Sequence, residues 1–191
     1  MNLEQLALDI EEIKIKLGGG PQVVGKFHKV SLEQFTKDYT EDRAISKEQA
    51  RKVYEDVLTL PIRSSVGSAG HDFILTEDIS LEPGESVKVF TGIRAEMLEG
   101  WVLIATPRSG LGTKFRMQLD NTVGVIDSDY FEALNEGHIM AKFTNDSKDG
   151  KTLVLEAGDR FMQAIFIPYG ITSDDVPAGK RLGGHGSSGL K

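Results

Sequence analysis

Apolar residues change their spacing near residue 60, and the change divides the chain. Over residues 1–17, Leu3, Leu6, Ile10, Ile13 and Leu17 recur at alternating intervals of three and four with Glu, Asp and Lys between them, a pattern that predicts an amphipathic helix. Its phase is that of a coiled-coil seam, but about two heptads are too few for a free-standing coil, so the stripe is expected to pack against the body of the protein or a sister subunit. Gly18, Gly19, Gly20 and Pro21 follow as a hinge. Two further helix starts are marked by Ser31 with Gln34 and Ser46 with Gln49, the spacing at which a capping box satisfies free backbone amides. Ala50, Val53, Tyr54, Val57 and Leu58 line one face of the second helix, and Pro61 lies beyond its end. Residues 1–60 are therefore read as an α-helical N-terminal extension.

From Pro61 onward the apolar residues fall in short β-rich runs: Ser86 to Ile93, Trp101 to Thr106, His138 to Phe143, Lys151 to Glu156 and Arg160 to Ile167. Asp149-Gly150 sits between two of them and signals a hairpin, because Gly adopts the positive φ such turns require. The predicted class is mainly β, a jelly-roll-like antiparallel β-barrel over residues 61–178. Past Tyr169 the chain becomes rich in Gly, Ser and Asp and closes on Gly183-Gly184-His185-Gly186-Ser187-Ser188-Gly189, which reads as a flexible C-terminal arm over residues 179–191.

Composition narrows the function classes. The 191 residues suit one principal domain. No apolar stretch reaches the roughly 20 residues needed to cross a bilayer, Met1 to Ile10 lacks the basic start and apolar run of a secretory signal, and there are no cysteines. A cytoplasmic location without membrane attachment is expected, in a bacterium or a phage-infected host. A net charge of −7 opposes a broad nucleic-acid surface, which needs many cations against phosphates. Any phosphate site must then be local.

Three loops carry candidate chemistry. Pro107-Arg108-Ser109-Gly110-Leu111-Gly112 follows the apolar run ending at Thr106 and combines a guanidinium fork, a hydroxyl and unobstructed amides, a set suited to phosphate oxygens or to an ordinary turn. Asn121-Thr122-Val123-Gly124-Val125-Ile126-Asp127-Ser128-Asp129-Tyr130 places two acids and an aromatic ring after an apolar strand. A carboxylate there can take a proton from water or be a solvated turn. The terminal glycine run can wrap phosphate or be a plain tail.

As an ordered set these segments go further. Ala69-Gly70-His71-Asp72, Pro107-Arg108-Ser109-Gly110-Leu111-Gly112, Gly124-Val125-Ile126-Asp127-Ser128-Asp129-Tyr130, Gly158-Asp159-Arg160-Phe161-Met162-Gln163 and Gly183-Gly184-His185-Gly186-Ser187-Ser188-Gly189 resemble, in order, the five motifs of the trimeric dUTP pyrophosphatase (dUTPase) family. The resemblance covers about residues 60–189. It implies hydrolysis of dUTP to dUMP and pyrophosphate with Mg²⁺, which limits uracil incorporation into DNA and supplies dUMP for dTMP synthesis, in a homotrimer whose active sites are shared between subunits. It also implies roles. Asp127 activates the water that attacks the α-phosphorus, and Tyr130 packs under the sugar and excludes a 2′-hydroxyl. Asn121, Gly124, Val125, Ile126 and Met140 shape the uracil pocket. Arg108, Ser109, Gly110 and Gln163 meet phosphates, and Asp72 meets the Mg²⁺ through water. Lys180, Arg181, His185, Gly186 and Ser187 belong to an arm that closes over the nucleotide. Asp129, Asp159 and Arg160 are read as turn or ion-pair residues.

Departures from the family pattern accompany the resemblance. His185 replaces the usual Phe of the lid, and Lys180 or Arg181 stands for the arm's phosphate-binding Arg. Phe131 to Glu136 lengthen the segment after Tyr130 and are expected to alter the pocket rim. The long N-terminal extension resembles phage and Gram-positive prophage forms. Two alternatives accompany the main reading: a dCTP deaminase of the same barrel, for which Glu136 is the candidate catalytic acid, and a regulatory binding protein that uses the nucleotide as a signal.

Overall fold

The computed structural model describes residues 21–176. The expected first helix over residues 1–17 and the C-terminal arm over 179–191 lie outside the described residues. In chain order the elements are β1 (Gly25–Lys29), α1 (Leu32–Asp42), α2 (Lys47–Lys52) running into a π-helical turn (Val53–Val57), β2 (Ile62–Arg63), β3 (His71–Ile74), β4 (Ile79–Leu81), β5 (Ser86–Phe90), β6 (Ile93–Met97), β7 (Trp101–Pro107), α3 (Ser109–Phe115), β8 (Met117–Leu119), β9 (Gly124–Asp127), a 3₁₀ turn (Ser128–Glu132), β10 (Met140–Asn145), β11 (Leu153–Leu155) and β12 (Arg160–Pro168).

Every strand pairing is antiparallel, and the strands form four sheets among the described residues: β1-β6, β5-β10-β8, β11-β4 and β2-β3-β12-β7-β9. The mainly β, jelly-roll-like barrel expected from the short alternating runs is what forms. One core joins the sheets, with Phe73, Leu75, Phe90, Leu103, Phe143, Leu153, Phe161 and Met162 all buried. Phe143 and Phe161 meet edge to face at 4.8 Å, a favoured aromatic geometry.

Several expectations are corrected. Ser86 to Ile93 is two strands, because Gly92 turns the chain at φ +67°, and a Cβ there would lie 1.8 Å from a Leu58 methyl. Gly150 does adopt positive φ, but the strands beside it do not pair with each other. Instead β10 pairs with β5 and β8, and β11 pairs with β4. Local turn chemistry was right and the partner was wrong, since partner choice is set by distant apolar faces.

Residues 21–60 are neither wholly helical nor separate from the barrel. Gly25–Lys29 adds strand β1 to β6. The Gly at 25 lets it approach, as a Cβ would stand 2.7 Å from the Glu96 carbonyl. Phe27, Phe35, Tyr39, Ala50 and Leu58 enter the same core as the barrel. Ser46 and Gln49 form the complete capping box. Ser31 caps α1 through the Gln34 amide at 3.0 Å, but the reciprocal position is taken by Glu136, 105 residues away, whose carboxylate accepts from the Ser31 amide at 2.7 Å and its hydroxyl at 2.6 Å. Residues 131–136 thus dock on the N-terminal segment. The Arg94 guanidinium also lies 3.6 Å over the Phe131 ring.

Candidate active site

β9 is an edge strand: it pairs with β7 on one side, and no strand pairs with its other side among the described residues. Gly124 opens it opposite Ala105, where an added Cβ would come within 3.1 Å of the Ala105 Cβ. The glycine therefore sets how closely β9 lies on β7. Facing its open edge is a cavity of about 350 Å³ lined by Asn121, Gly124, Val125, Ile126, Tyr130 and Met140, among others. These are the six residues assigned from the sequence to base and sugar. An open strand edge offers alternating N–H and C=O groups at fixed spacing, which can pair with a planar heterocycle while apolar side chains hold its faces.

Tyr130, in the 3₁₀ turn after β9, is buried. Its hydroxyl donates to the His138 carbonyl at 2.8 Å and accepts from the Asn135 amide at 2.9 Å. The residue lines the cavity, and its hydroxyl is engaged by His138 and Asn135. Asp127 ends β9, caps the 3₁₀ turn and sits between Ile126 of the cavity and that turn. At the rim, burial alone would raise the Asp120 carboxyl, but the Thr144 hydroxyl at 2.5 Å and the Lys142 ammonium at 3.0 Å hold it below the ordinary carboxylate range.

A second, open cleft of about 320 Å³ is lined by Pro107, Arg108, Ser109, Gly112, Arg116, Met117, Gln118 and Thr122. Arg108 caps α3, and Ser109 and Gly110 occupy its first positions, where backbone amides have no intrahelical acceptor. Ser109 lines the cleft and Gly110 does not. Behind Arg108 lies Asp72, only 5% exposed. One carboxylate oxygen meets Arg108 Nε at 3.2 Å. The other takes Arg160 Nη1 at 3.1 Å and the Ser64 hydroxyl at 2.5 Å. A buried carboxylate held by two guanidiniums is a brace, and it orients the Arg108 fork.

Gln163 lies in register with Asp72 and Thr106, yet its side chain lies against Gly70, where a Cβ would meet Gln163 Oε1 at 2.5 Å. It lines neither cleft. Arg160 is the ion-pair residue expected, and Asp159 accepts from the Glu156 amide as a turn residue. Glu136, the acid on which a deaminase would depend, is committed to Ser31. Arg116, Gln118, Asp120 and Lys142 were not anticipated. The nearest signal was the alternation around Met117 and Leu119, which places Gln118 and Asp120 on the outward face. Lys180, Arg181, His185, Gly186 and Ser187 lie outside the described residues.

The dUTPase family model matches residues 56–189, most of the chain and all five sequence motifs. The chain belongs to the dUTPase family. Among curated relatives, deoxyuridine 5'-triphosphate nucleotidohydrolase of Lactococcus lactis subsp. lactis is 38% identical over 135 residues, spanning 69% of this chain and 89% of the relative. That of Shewanella piezotolerans is 36% identical over 140 residues, spanning 69% and 88%. The crystal structure of the dUTPase from Streptococcus mutans superposes with TM-score 0.57 at 34% identity, covering 77% of this chain and 98% of that one. A mutant dUTPase from phage phi11 of S. aureus, a structure showing a coordinated structural Mg(II) ion, shares the fold at TM-score 0.54 and 20% identity, covering 66% and 94%. Within this dUTPase fold no helix of the described residues is long and apolar enough to cross a membrane.

Proposed function

We propose that this chain hydrolyses dUTP to dUMP and pyrophosphate, and the observation that carries the reading is the edge of β9 that no other strand covers among the described residues, beside a cavity lined by Gly124, Val125, Ile126 and Tyr130. Uracil pairs along the main chain of Gly124 to Ile126. A cytosine would bring an amino donor where the site offers a donor, leaving buried polar groups unpaired. The deoxyribose lies on Tyr130, whose ring fills the space a 2′-hydroxyl needs. Asp127, at the end of the same strand, takes a proton from water as the oxygen attacks the α-phosphorus. The bond from that phosphorus to the bridging oxygen breaks, and pyrophosphate leaves with the electron pair. Arg108 and Ser109 meet the phosphate oxygens, with Arg116 at the cleft wall.

Mg²⁺ fits as an ion carried by the triphosphate. Among the described residues no group of three His, Cys, Asp or Glu side chains can hold a metal. Asp72 faces two guanidiniums, which opposes direct coordination. Its Oδ1 retains a lone pair for a bridging water, consistent with the outer-shell role read from the sequence. When bound, Mg²⁺ supplies charge neutralisation at the phosphates and keeps several of its own waters. The active form is a homotrimer in the cytoplasm. Lys180, Arg181, His185, Gly186 and Ser187, outside the described residues, are proposed as further substrate contacts at a site shared between subunits.

The test is product identification with Mg²⁺ and, separately, dUTP, dCTP, dTTP and UTP. The expected result is dUMP and pyrophosphate from dUTP, abolished by chelation. Ammonia from dCTP, or no turnover of dUTP, overturns the reading.

A further inference from the structure

Among the polar contacts between the N-terminal segment and the barrel, those of Ser31 and Asp38 fall on one short stretch, Glu136 to His138, which also touches Tyr130. His138 is fully buried. Its Nε2 takes the Gly92 amide at 2.8 Å, and because a backbone N–H can only donate, that nitrogen carries no proton. The proton is therefore on Nδ1, which donates to Asp38 Oδ2 of α1 at 2.6 Å. The carbonyl of the same residue accepts the Tyr130 hydroxyl. His138 thus links α1 to Tyr130 in the cavity lining, its ring bonded to Asp38 and its carbonyl to the Tyr130 hydroxyl. Burial alone would raise the Asp38 carboxyl, but the bonds from His138 and Gln34 hold it below the ordinary carboxylate range.

A second hold lies one residue before the tight turn at Gly137. Glu136 is tied to Ser31. Ser31 and Asp38 are seven positions apart, about 10 Å along the helix at 1.5 Å per residue. Two attachments that far apart fix the stretch against rotation as well as translation. The turn between them is close: Gly137 has φ +67°, and a Cβ would lie 2.5 Å from the Tyr130 carbonyl. Any shift of residues 136–138 is passed to Tyr130 instead of being absorbed.

We propose that Asp38, Glu136 and His138 are positioning residues for sugar selection, and that α1 is the frame on which Tyr130 is held at the spacing that rejects a 2′-hydroxyl. This rests on the proposed dUTP hydrolysis and on Tyr130 as the sugar contact. It gives the N-terminal segment a task in specificity.

The readout is the ratio of kcat/KM for dUTP to kcat/KM for UTP. A merely structural role would lower the melting temperature and the active fraction, but both substrates see the same active enzyme, so the ratio would not move. In Asp38→Ala the ratio should fall roughly three- to tenfold, the scale of a sub-ångström displacement of a contact. Asp38→Asn keeps an oxygen to accept from His138 and should restore the ratio. Tyr130→Phe, which keeps the ring and cuts its link to His138, should lower the ratio similarly, and adding Asp38→Ala to it should lower it little further. An unchanged ratio in folded Asp38→Ala, or additive losses in the double variant, overturns the proposal. Should Asp38→Ala fail to fold, Glu136→Ala at a partly exposed site decides in the same way: a lowered ratio supports the proposal and an unchanged one overturns it. Absence of dUTP turnover in the wild-type protein is a failure of the functional reading itself.

Discussion

The cavity beside β9 and the cleft at Arg108 solve recognition by different means. In the cavity, the groups proposed to meet the ligand are main-chain atoms of an edge strand, with side chains such as Ile126 and Tyr130 in the lining. In the cleft, the proposed binding group is a charged fork, held by the buried carboxylate of Asp72. The base side should therefore tolerate side-chain change wherever the backbone is kept. The phosphate side should fail when the brace is cut, because the part-exposed Arg108 guanidinium then loses the carboxylate that orients it.

The largest expected effect lies where the two regions meet. Asp127→Asn should fold and bind dUTP while turnover falls by about 10² or more, the scale of a lost general base. Steady-state rates beside a binding isotherm check it, and near-normal turnover would remove Asp127 from the mechanism. Asp72→Ala comes next: Arg108 and Arg160 lose their shared anchor but can reach solvent, so stability should drop by only about 1–2 kcal/mol, with a rise in KM for dUTP. A melting curve and substrate titration measure both, and an unchanged KM would separate Asp72 from phosphate binding.

Acid should loosen the frame around Tyr130. The carboxyls of Asp38 and Glu136 are both held below their ordinary values, Glu136 by the Ser31 hydroxyl and amide against the opposing effect of burial. A carboxyl depressed on folding contributes stability that is complete above its unfolded pKa, near 4, and is lost as pH falls through the folded value. The melting temperature should thus fall below about pH 4, and less steeply in Asp38→Ala. Parallel slopes would deny the carboxylate this role. Smallest of all, Val125→Ala should leave kcat/KM for dUTP within about twofold, since the exposed side chain at 125 adds little and the proposed contact is its backbone. A tenfold loss would mean that the base side also depends on side chains.

The cavity was legible in the sequence to a high degree, because Asn121, Gly124, Val125, Ile126 and Tyr130 lie in one short strand and turn and the motif fixes their mutual placement. The cleft was half legible. Arg108 and Ser109 were found, while Gln163, assigned to phosphate, lies against Gly70, and Arg116 and Gln118 carried no motif. The N-terminal segment was least legible. Its caps at Ser31 and Ser46 are local and were readable, but β1 takes its identity from β6, and the partners of Ser31 and Asp38 come from residues 136 and 138. Propensity and spacing carry no information on contacts a hundred positions away.

Those same separations, 105 residues for Ser31 with Glu136 and 100 for Asp38 with His138, set an order of events during synthesis. Helix α1 leaves the ribosome early, with Phe35 and Tyr39 on its apolar face, and its partners emerge only after the two are separated by most of the barrel. Loop closure on that scale is slow compared with helix formation. Tyr54 and Phe90 can cover the aromatic face of α1 earlier, but Ser31 and Asp38 wait for residues 136–138, so the wall at Tyr130 is finished only when that late stretch reaches the helix.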